Sequence, residues 1–268
     1  MRHEYTTSRA DCAGHRREPG IGKGIAIALG RAGATVYVTG RTEDETKAAV
    51  PLPGTIHATA AAVSAAGGMG IAVRCDHTDE KQAKAAVRRV IREQDRIDIL
   101  VNNAWRGYEG YVTGKHFAPA TPSGRSRSST GTRTWTARWT YMMTALTAPQ
   151  MVKQGGGIVV NITFNPGLVD PAYGASKAAV DRLTAEFAQA LKPHQVAVMG
   201  LYPGLVRTEN VLKNARWFDM TQSQSPEFTG RAVAALAADP ARMAKSGASY
   251  VVADLSAEYG FQDDPYVP

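Results

Sequence analysis

The chain has 268 residues, 44% of them hydrophobic, enough to bury a full core in one domain. No apolar run is long enough to cross a bilayer, and the opening Met1-Arg2-His3-Glu4 leads into nothing like a signal peptide. The only cysteines are Cys12 and Cys75, which excludes a disulfide framework or a cysteine-rich zinc site and points to a soluble protein of a reducing, cytoplasmic compartment. Most of the net charge of +7 comes from Arg9, Arg16, Arg17, Arg125, Arg127, Arg133 and Arg138. These sit in two stretches that, apart from Trp135, interleave no aromatics and form no basic amphipathic helix, so neither a nucleic-acid nor a membrane partner is expected.

Gly20-Ile21-Gly22-Lys23-Gly24 opens an apolar helix that ends at Gly30 or Gly33, and Ala34 to Thr39 follows as a short β-branched run, a buried strand stopping at Gly40-Arg41. Helix then strand is half of a dinucleotide-binding unit. Glycines at such a turn let the backbone approach a pyrophosphate, to which the helix N-terminus offers free N–H groups. An acidic residue at the end of the strand would hold the ribose hydroxyls of NAD, whereas Arg41 can accept the 2′-phosphate of NADP; the other reading of Arg41 is a solvated loop charge.

After a loop with Pro51 and Pro53 come a helix of Ala and Val, the strand Gly70 to Cys75 ending at Asp76, a helix over 79–94 with Lys and Arg outermost, and the strand Ile97 to Val101 ending in Asn102-Asn103-Ala104. Gly157 to Thr163 is another buried strand. A helix opens at Ala172-Tyr173-Gly174-Ala175-Ser176-Lys177 and runs to Leu191, followed by the strand Val196 to Leu201 and then Tyr202-Pro203-Gly204-Leu205-Val206-Arg207-Thr208. Residues 209–228, with Trp217, Phe218, Met220 and Phe228, show little periodicity and read as a mobile lid over an apolar pocket, and a helix over 231–237 with a strand over Ala248 to Val252 closes the sheet. Strands alternating with helices, with polar residues after each strand's end, predict a single α/β domain: a Rossmann-like, doubly wound parallel sheet with a ligand along that edge.

Tyr173 and Lys177 lie four apart, so on a helix they share a face. A tyrosine titrates near pH ~10, and a neighbouring cation favours its anion, so the pair can give and take a proton nearer neutrality. An isolated pair of this kind is also what an ordinary surface helix shows; the dinucleotide site around it gives it meaning.

Together these residues resemble the short-chain dehydrogenase/reductase family, most similarly its dehydrogenase/reductase member-one branch. Gly20-Ile21-Gly22 matches the end of TGxxxGIG, Asn102-Asn103-Ala104 matches NNAG, Tyr173 and Lys177 match YxxxK, and Pro203-Gly204 with Thr208 matches the PG-and-Thr motif. The resemblance spans roughly residues 20–120 and 140–262. It implies that Tyr173 is the general acid/base, that Lys177 lowers its pKa and bonds the nicotinamide ribose, and that Thr208 holds the carboxamide. Asp76 would contact adenine, Asn102 and Ala104 would line the cofactor, and the Tyr173 helix resembles one that packs between subunits, which implies a homo-oligomer.

Four departures stand out. Thr163, ten before Tyr173, takes the place of the serine that bonds the substrate carbonyl, and Trp105 replaces the glycine after NNA. No match for the family's active-site asparagine occurs between 120 and 145. His15 and Arg16 stand where TGxxxGIG begins, and residues 6–19, where the central first strand belongs, are mostly polar and charged and unlike a buried strand. One choice of codons for 15–19, read one base later, gives T-G-A-S-R, and 123–136 is similarly anomalous; reading-frame errors that leave the protein poorly folded are the favoured expectation, unusual but genuine divergence being the other reading. The expected function is an NADP(H)-dependent oxidoreductase, NAD(H) being the lesser choice of cofactor, acting on an apolar carbonyl or secondary alcohol. The alternatives are a catalytically impaired Rossmann protein that binds a partner or senses nucleotide, and a methyltransferase, which would not need Tyr173, Lys177 or Thr208.

Overall fold

Strands and helices alternate along the chain as β1 (Thr6–Asp11), α1 (Ile21–Arg31), β2 (Thr35–Gly40), α2 (Ile56–Ala65), β3 (Met69–Arg74), α3 (Glu80–Gln94) and β4 (Ile99–Asn102). They continue as α4 (Thr136–Lys153), β5 (Gly157–Ile162), α5 (Pro171–Leu191), β6 (Val196–Tyr202), α6 (Glu209–Lys213), α7 (Pro226–Ala238), β7 (Ser249–Val251) and α8 (Val252–Tyr259). The computed structural model describes residues 6–11, 20–47, 54–104, 136–164 and 171–266. Cys12, His15, Arg16, Pro51, Pro53, Trp105 and the anomalous stretch 123–135 lie outside the described residues.

Among the described residues, seven strands form one sheet in the order β3-β2-β1-β4-β5-β6-β7, every pair parallel. Chain order reverses between β1 and β4, which in doubly wound sheets places the ligand crevice beyond the strand ends there. The β-branched runs are buried on both faces because helices cover both. Val36, Val38, Ile99, Val101, Ile158 and Val160 pack with α1, α2, α7 and α8 in one core; Tyr37, Leu100, Val159 and Val198 pack with α3, α4 and α5 in the other. Side-chain oxygens of Thr55, Asp79 and Ser225 accept from the first-turn amides of α2, α3 and α7, fixing where those helices start.

Two glycines bring α1 and α7 together backbone to backbone. A Cβ on Gly24 would lie 2.1 Å from the Pro226 carbonyl carbon, and one on Gly230 would lie 2.6 Å from the Ala28 Cβ. Gly24 therefore belongs to helix packing, a role its place in a glycine-rich turn does not reveal.

The structure corrects three expectations. Residues 6–11 do form the central strand despite their polar sequence, with an irregular register: Thr7 and Ala10 pair with Val36 and Val38, so β1 carries one residue more than its neighbour. The last helix predicted before the final strand is longer, Pro226–Ala238, and α8 follows β7 without a break where no helix was expected. The 209–228 stretch, whose sequence shows little periodicity, forms α6 and 3-10 turns at Ala215–Trp217 and Met220–Gln222, with the Val206–Gln224 bridge at its root. Among the described residues no helix is long and apolar enough to cross a membrane.

Candidate active site

A parallel sheet sends the ends of β2, β3, β4, β5 and β6 to one edge, and the predicted site residues stand on the segments that leave it. At the dinucleotide side, α1 starts from Gly20, which has no side chain to cap the helix, and no acidic residue occupies its first turn. The amides of Ile21 and Gly22 thus open onto a site suited to an anion.

Arg41, just past β2, lies beside Asp76, just past β3, with guanidinium and carboxylate 3.6 Å apart. Burial alone would push the Asp76 carboxyl up. Two hydrogen bonds from Thr78, at 2.9 Å from its amide and 2.7 Å from its hydroxyl, together with the Arg41 charge hold it below the usual carboxylate range. Beneath them His77 is buried between the Thr39 hydroxyl at 3.1 Å and the Cys75 sulfur at 3.5 Å.

On the other side of the switch point, α5 carries Tyr173 and Lys177 one turn apart, and the ammonium lies 5.6 Å from the centre of the phenol ring. Lys177 is only 4% exposed; its Nζ donates to the Ile162 carbonyl at 2.9 Å, at the end of β5. Burial pushes its pKa down to about 8, with the Asp181 carboxylate pulling the other way. Thr163 follows directly on β5; its hydroxyl donates to the Lys177 carbonyl at 3.2 Å, and its amide to the Leu201 carbonyl at 2.9 Å. Phe164 packs its ring 5.8 Å from that of Tyr173. Strand end and helix are thus locked to each other at the residues expected to react.

Sequence reasoning missed the network that holds this junction. The Asn102 side-chain amide is buried and donates to the Asn161 carbonyl oxygen at 2.8 Å and the Thr144 hydroxyl at 3.2 Å. The Asn161 amide donates in turn to the Thr184 hydroxyl at 2.8 Å. Four elements, β4, β5, α4 and α5, are tied through polar groups that would each cost ~1–3 kcal/mol if left unpaired. Asn102 therefore faces inward into the framework, while Ala104, two residues on, is buried at the crevice edge. An asparagine inside an otherwise apolar strand run is the one signal that could have found Asn161.

Beyond β6, Pro203 is buried, and the Gly204 amide donates to the Gln224 side chain at 3.1 Å. Thr208 caps α6, its hydroxyl accepting from the Val211 amide at 3.3 Å. Next to it Glu209 buries a carboxylate oxygen, Oε2, that has no hydrogen-bond partner among the described residues, and burial pushes its carboxyl up to about 7, against its own backbone amide and the Lys23 charge. Arg207 locks the root of this segment: it donates to the carbonyls of Ser223 and Asp264, both at 2.6 Å, and pairs with Asp263 at 3.5 Å. Asp263 in turn accepts from the Ser225 amide at 2.7 Å.

Among the described residues these features fit a dinucleotide: a glycine-rich helix start with no side-chain cap for a pyrophosphate, an arginine beyond the second strand, a buried ammonium whose acceptor is a neutral carbonyl, and an orphaned carboxylate oxygen beside Thr208. Among the described residues no group of His, Cys, Asp and Glu could hold a metal ion.

Comparison with known proteins agrees. The sequence model of the short chain dehydrogenases matches residues 17–218. The mouse protein "Dehydrogenase/reductase SDR family member 1" is 36% identical over 264 residues, covering 91% of this chain and 80% of that protein. The 7alpha-hydroxysteroid dehydrogenase of Escherichia coli K12 is 30% identical over 194 residues, 71% of this chain and 68% of that one. A solved 7α-hydroxysteroid dehydrogenase, complexed with NADH and 7-oxo glycochenodeoxycholic acid, superposes with a TM-score of 0.71 at 26% identity, covering 93% of this chain and 92% of that one.

Proposed function

The chain belongs to the short-chain dehydrogenase family and is thereby an oxidoreductase that works with a nicotinamide cofactor, and from that premise we propose that it interconverts a carbonyl and a secondary alcohol on an apolar small molecule, with NADP(H) as the preferred cofactor. The observation that carries this reading is the Tyr173–Lys177 pair, phenol over buried ammonium, at the end of β5. When bound, the nicotinamide gives or takes hydride. Tyr173 holds the proton that passes to the carbonyl oxygen in reduction, or receives it from the hydroxyl in oxidation. Lys177 stabilises the phenolate left behind, and with its pKa at about 8 it keeps that charge at neutral pH and loses it above. Thr163 braces the pair through the Lys177 carbonyl and offers its oxygen as acceptor.

Gly20, Ile21 and Gly22 would hold the pyrophosphate and Thr208 the carboxamide end. Arg41 supports NADP(H) over NAD(H), because its guanidinium would exchange the neighbouring Asp76 for a 2′-phosphate, a stronger bidentate partner. The steroids named for two of the relatives set the first compounds to screen, followed through NADPH oxidation. Tyr173→Phe keeps the ring and removes the transferable proton, so turnover should fall by the ~10²- to 10⁴-fold of a lost general acid, with NADPH binding largely kept. Undiminished turnover in that variant would remove Tyr173 from the mechanism.

A further inference from the structure

Burying an ammonium costs several kcal/mol unless charge or hydrogen bonds offset it. Among the described residues the acceptor for Lys177 is the neutral Ile162 carbonyl, which brings no counter-charge. Continuing along α5 by the same four-residue step leads from Tyr173 and Lys177 to Asp181, on the same face one turn further on.

Asp181 is held in place from across the sheet. Its Oδ1 accepts from the Ser249 hydroxyl on β7 at 2.8 Å. Ser249 pairs with Gly200 on β6, and a Cβ at position 200 would stand 2.1 Å from the Ser249 oxygen and 3.2 Å from the Thr163 methyl. Only glycine there leaves room for the serine that anchors the aspartate. Tyr202, also on β6, faces the same pair: burial raises its phenol, the Ser249 hydrogen bond opposes that, and the Asp181 charge adds to it.

We propose that Asp181 is a positioning residue whose carboxylate, fixed by Ser249 in the space Gly200 leaves, supplies the counter-charge that keeps Lys177 an ammonium beside Tyr173. The proposal rests on the reading of Tyr173 and Lys177 as the proton-transfer pair. Among the described residues around Lys177 and Asp181, α5 brings Tyr173, β6 brings Tyr202, which also hydrogen-bonds Asp181, and β5 and β7 bring the neutral Ile162 carbonyl, Thr163 and Ser249. The direction of the Asp181 influence agrees, since its charge opposes the fall that burial imposes on Lys177.

The test follows the Lys177 side chain by NMR in lysine-labelled protein as a function of pH, its signal assigned with Lys177→Met. Removing a negative charge makes proton loss from the pair easier, so Asp181→Asn should lower the Lys177 midpoint by about half a pH unit or more. Asp181→Glu should restore it, and the alkaline fall of carbonyl reduction should move to lower pH alongside. A folded Asp181→Asn protein with an unmoved midpoint overturns the proposal, even if its melting temperature drops. Should Asp181→Asn not fold, Ser249→Ala decides: the loosened carboxylate should give a smaller shift in the same direction, and no shift overturns the idea. Because the NMR midpoint reports on the Asp181–Lys177 coupling and Tyr173→Phe turnover on the parent reading, failure of either is told apart from failure of the other.

Discussion

Gly24→Ala separates two uses of the glycine-rich turn. At Gly24 an added Cβ would sit 2.1 Å from the Pro226 carbonyl carbon, 2.2 Å from its oxygen and 2.5 Å from the Glu227 nitrogen. Ordinary contacts between carbon atoms are ~3.5–4.0 Å, so the helices must part by roughly 1.5 Å. The obstructing atoms are backbone, which no rotamer change can move. They also lie at the start of α7, where the Ser225 hydroxyl caps the Phe228 amide at 3.1 Å and Asp263 grips the Ser225 amide. Overpacking costs ~1–3 kcal/mol, and the size of the overlap puts this site at the upper end. At ~2–4 °C per kcal/mol for a domain of this size, the apo protein should melt ~6–12 °C lower. Gly33→Ala is the control: its φ of +85° disfavours a side chain, but nothing lies within 4 Å, so only the strain of the left-handed conformation, ~1–2 kcal/mol, is expected. An apo Gly24→Ala protein that melts like the wild type, yet binds NADPH more weakly, would mean that Gly24 serves the phosphate and that the packing argument is wrong.

Glu209→Gln should stabilise the protein at alkaline pH. A carboxyl whose pKa is raised by folding from 4.5 to about 7 binds its proton more tightly in the folded state, so stability is lost as pH rises through that window. Discounted for solvent on its open side, the gain above pH 7 is on the order of 1 kcal/mol, or ~2–4 °C in the melting temperature, and it should vanish near pH 4; a constant difference across pH would show that Glu209 is an ordinary carboxylate. Arg41→Asp should reverse cofactor preference, costing NADPH the ~10- to 100-fold of a charge-assisted hydrogen bond, because a phosphate contact becomes a repulsion beside Asp76. Wild-type protein that binds NADH as tightly as NADPH would show that Arg41 has no such role.

Much of the fold was legible because parallel strands buried on both faces must be continuously apolar. The runs at 157–162 and 196–202 could be read as little else, and their polar followers mark the functional edge. The spacing of Tyr173 and Lys177 was legible for a similar reason, since helical periodicity converts a four-residue step into a shared face. What stayed hidden depends on partners distant in sequence. Asp181 carries no local sign that Ser249 holds it 68 residues away, and Arg207 meets Asp263 across 56 residues of lid and helix. Asn102 illustrates the limit differently: the family resemblance implied that it lines the cofactor, and nothing local tells that its side-chain amide donates inward to Asn161 and Thr144, a direction only the packing decides. α8 was missed because it follows a three-residue strand with no intervening turn to announce it.

At the centre of the sheet, backbone hydrogen bonding overrides composition. β2 and β4 are buried, so each has an inner edge of N–H and C=O groups that water cannot reach, and every unpaired one costs ~1–3 kcal/mol. Residues 6–11 satisfy both edges at once, Thr6, Thr7, Ala10 and Asp11 pairing with β2 and Thr7, Arg9 and Ala10 with β4. Against several such groups on each side, a polar sequence is the smaller penalty, and the segment is drawn into the sheet. Its unsuitability surfaces in the register instead. The shift lies between Thr7 and Ala10 against β2 and between Thr7 and Arg9 against β4, so a single extra residue is accommodated toward both neighbours at the same point. Bulges are rare in parallel pairs, and an extra residue reverses, from that point on, which residues face which helical layer. A continuously apolar strand gains nothing from such a reversal, because both its faces are already fit for burial. We therefore read the slip as the backbone's accommodation of a polar run between β2 and β4.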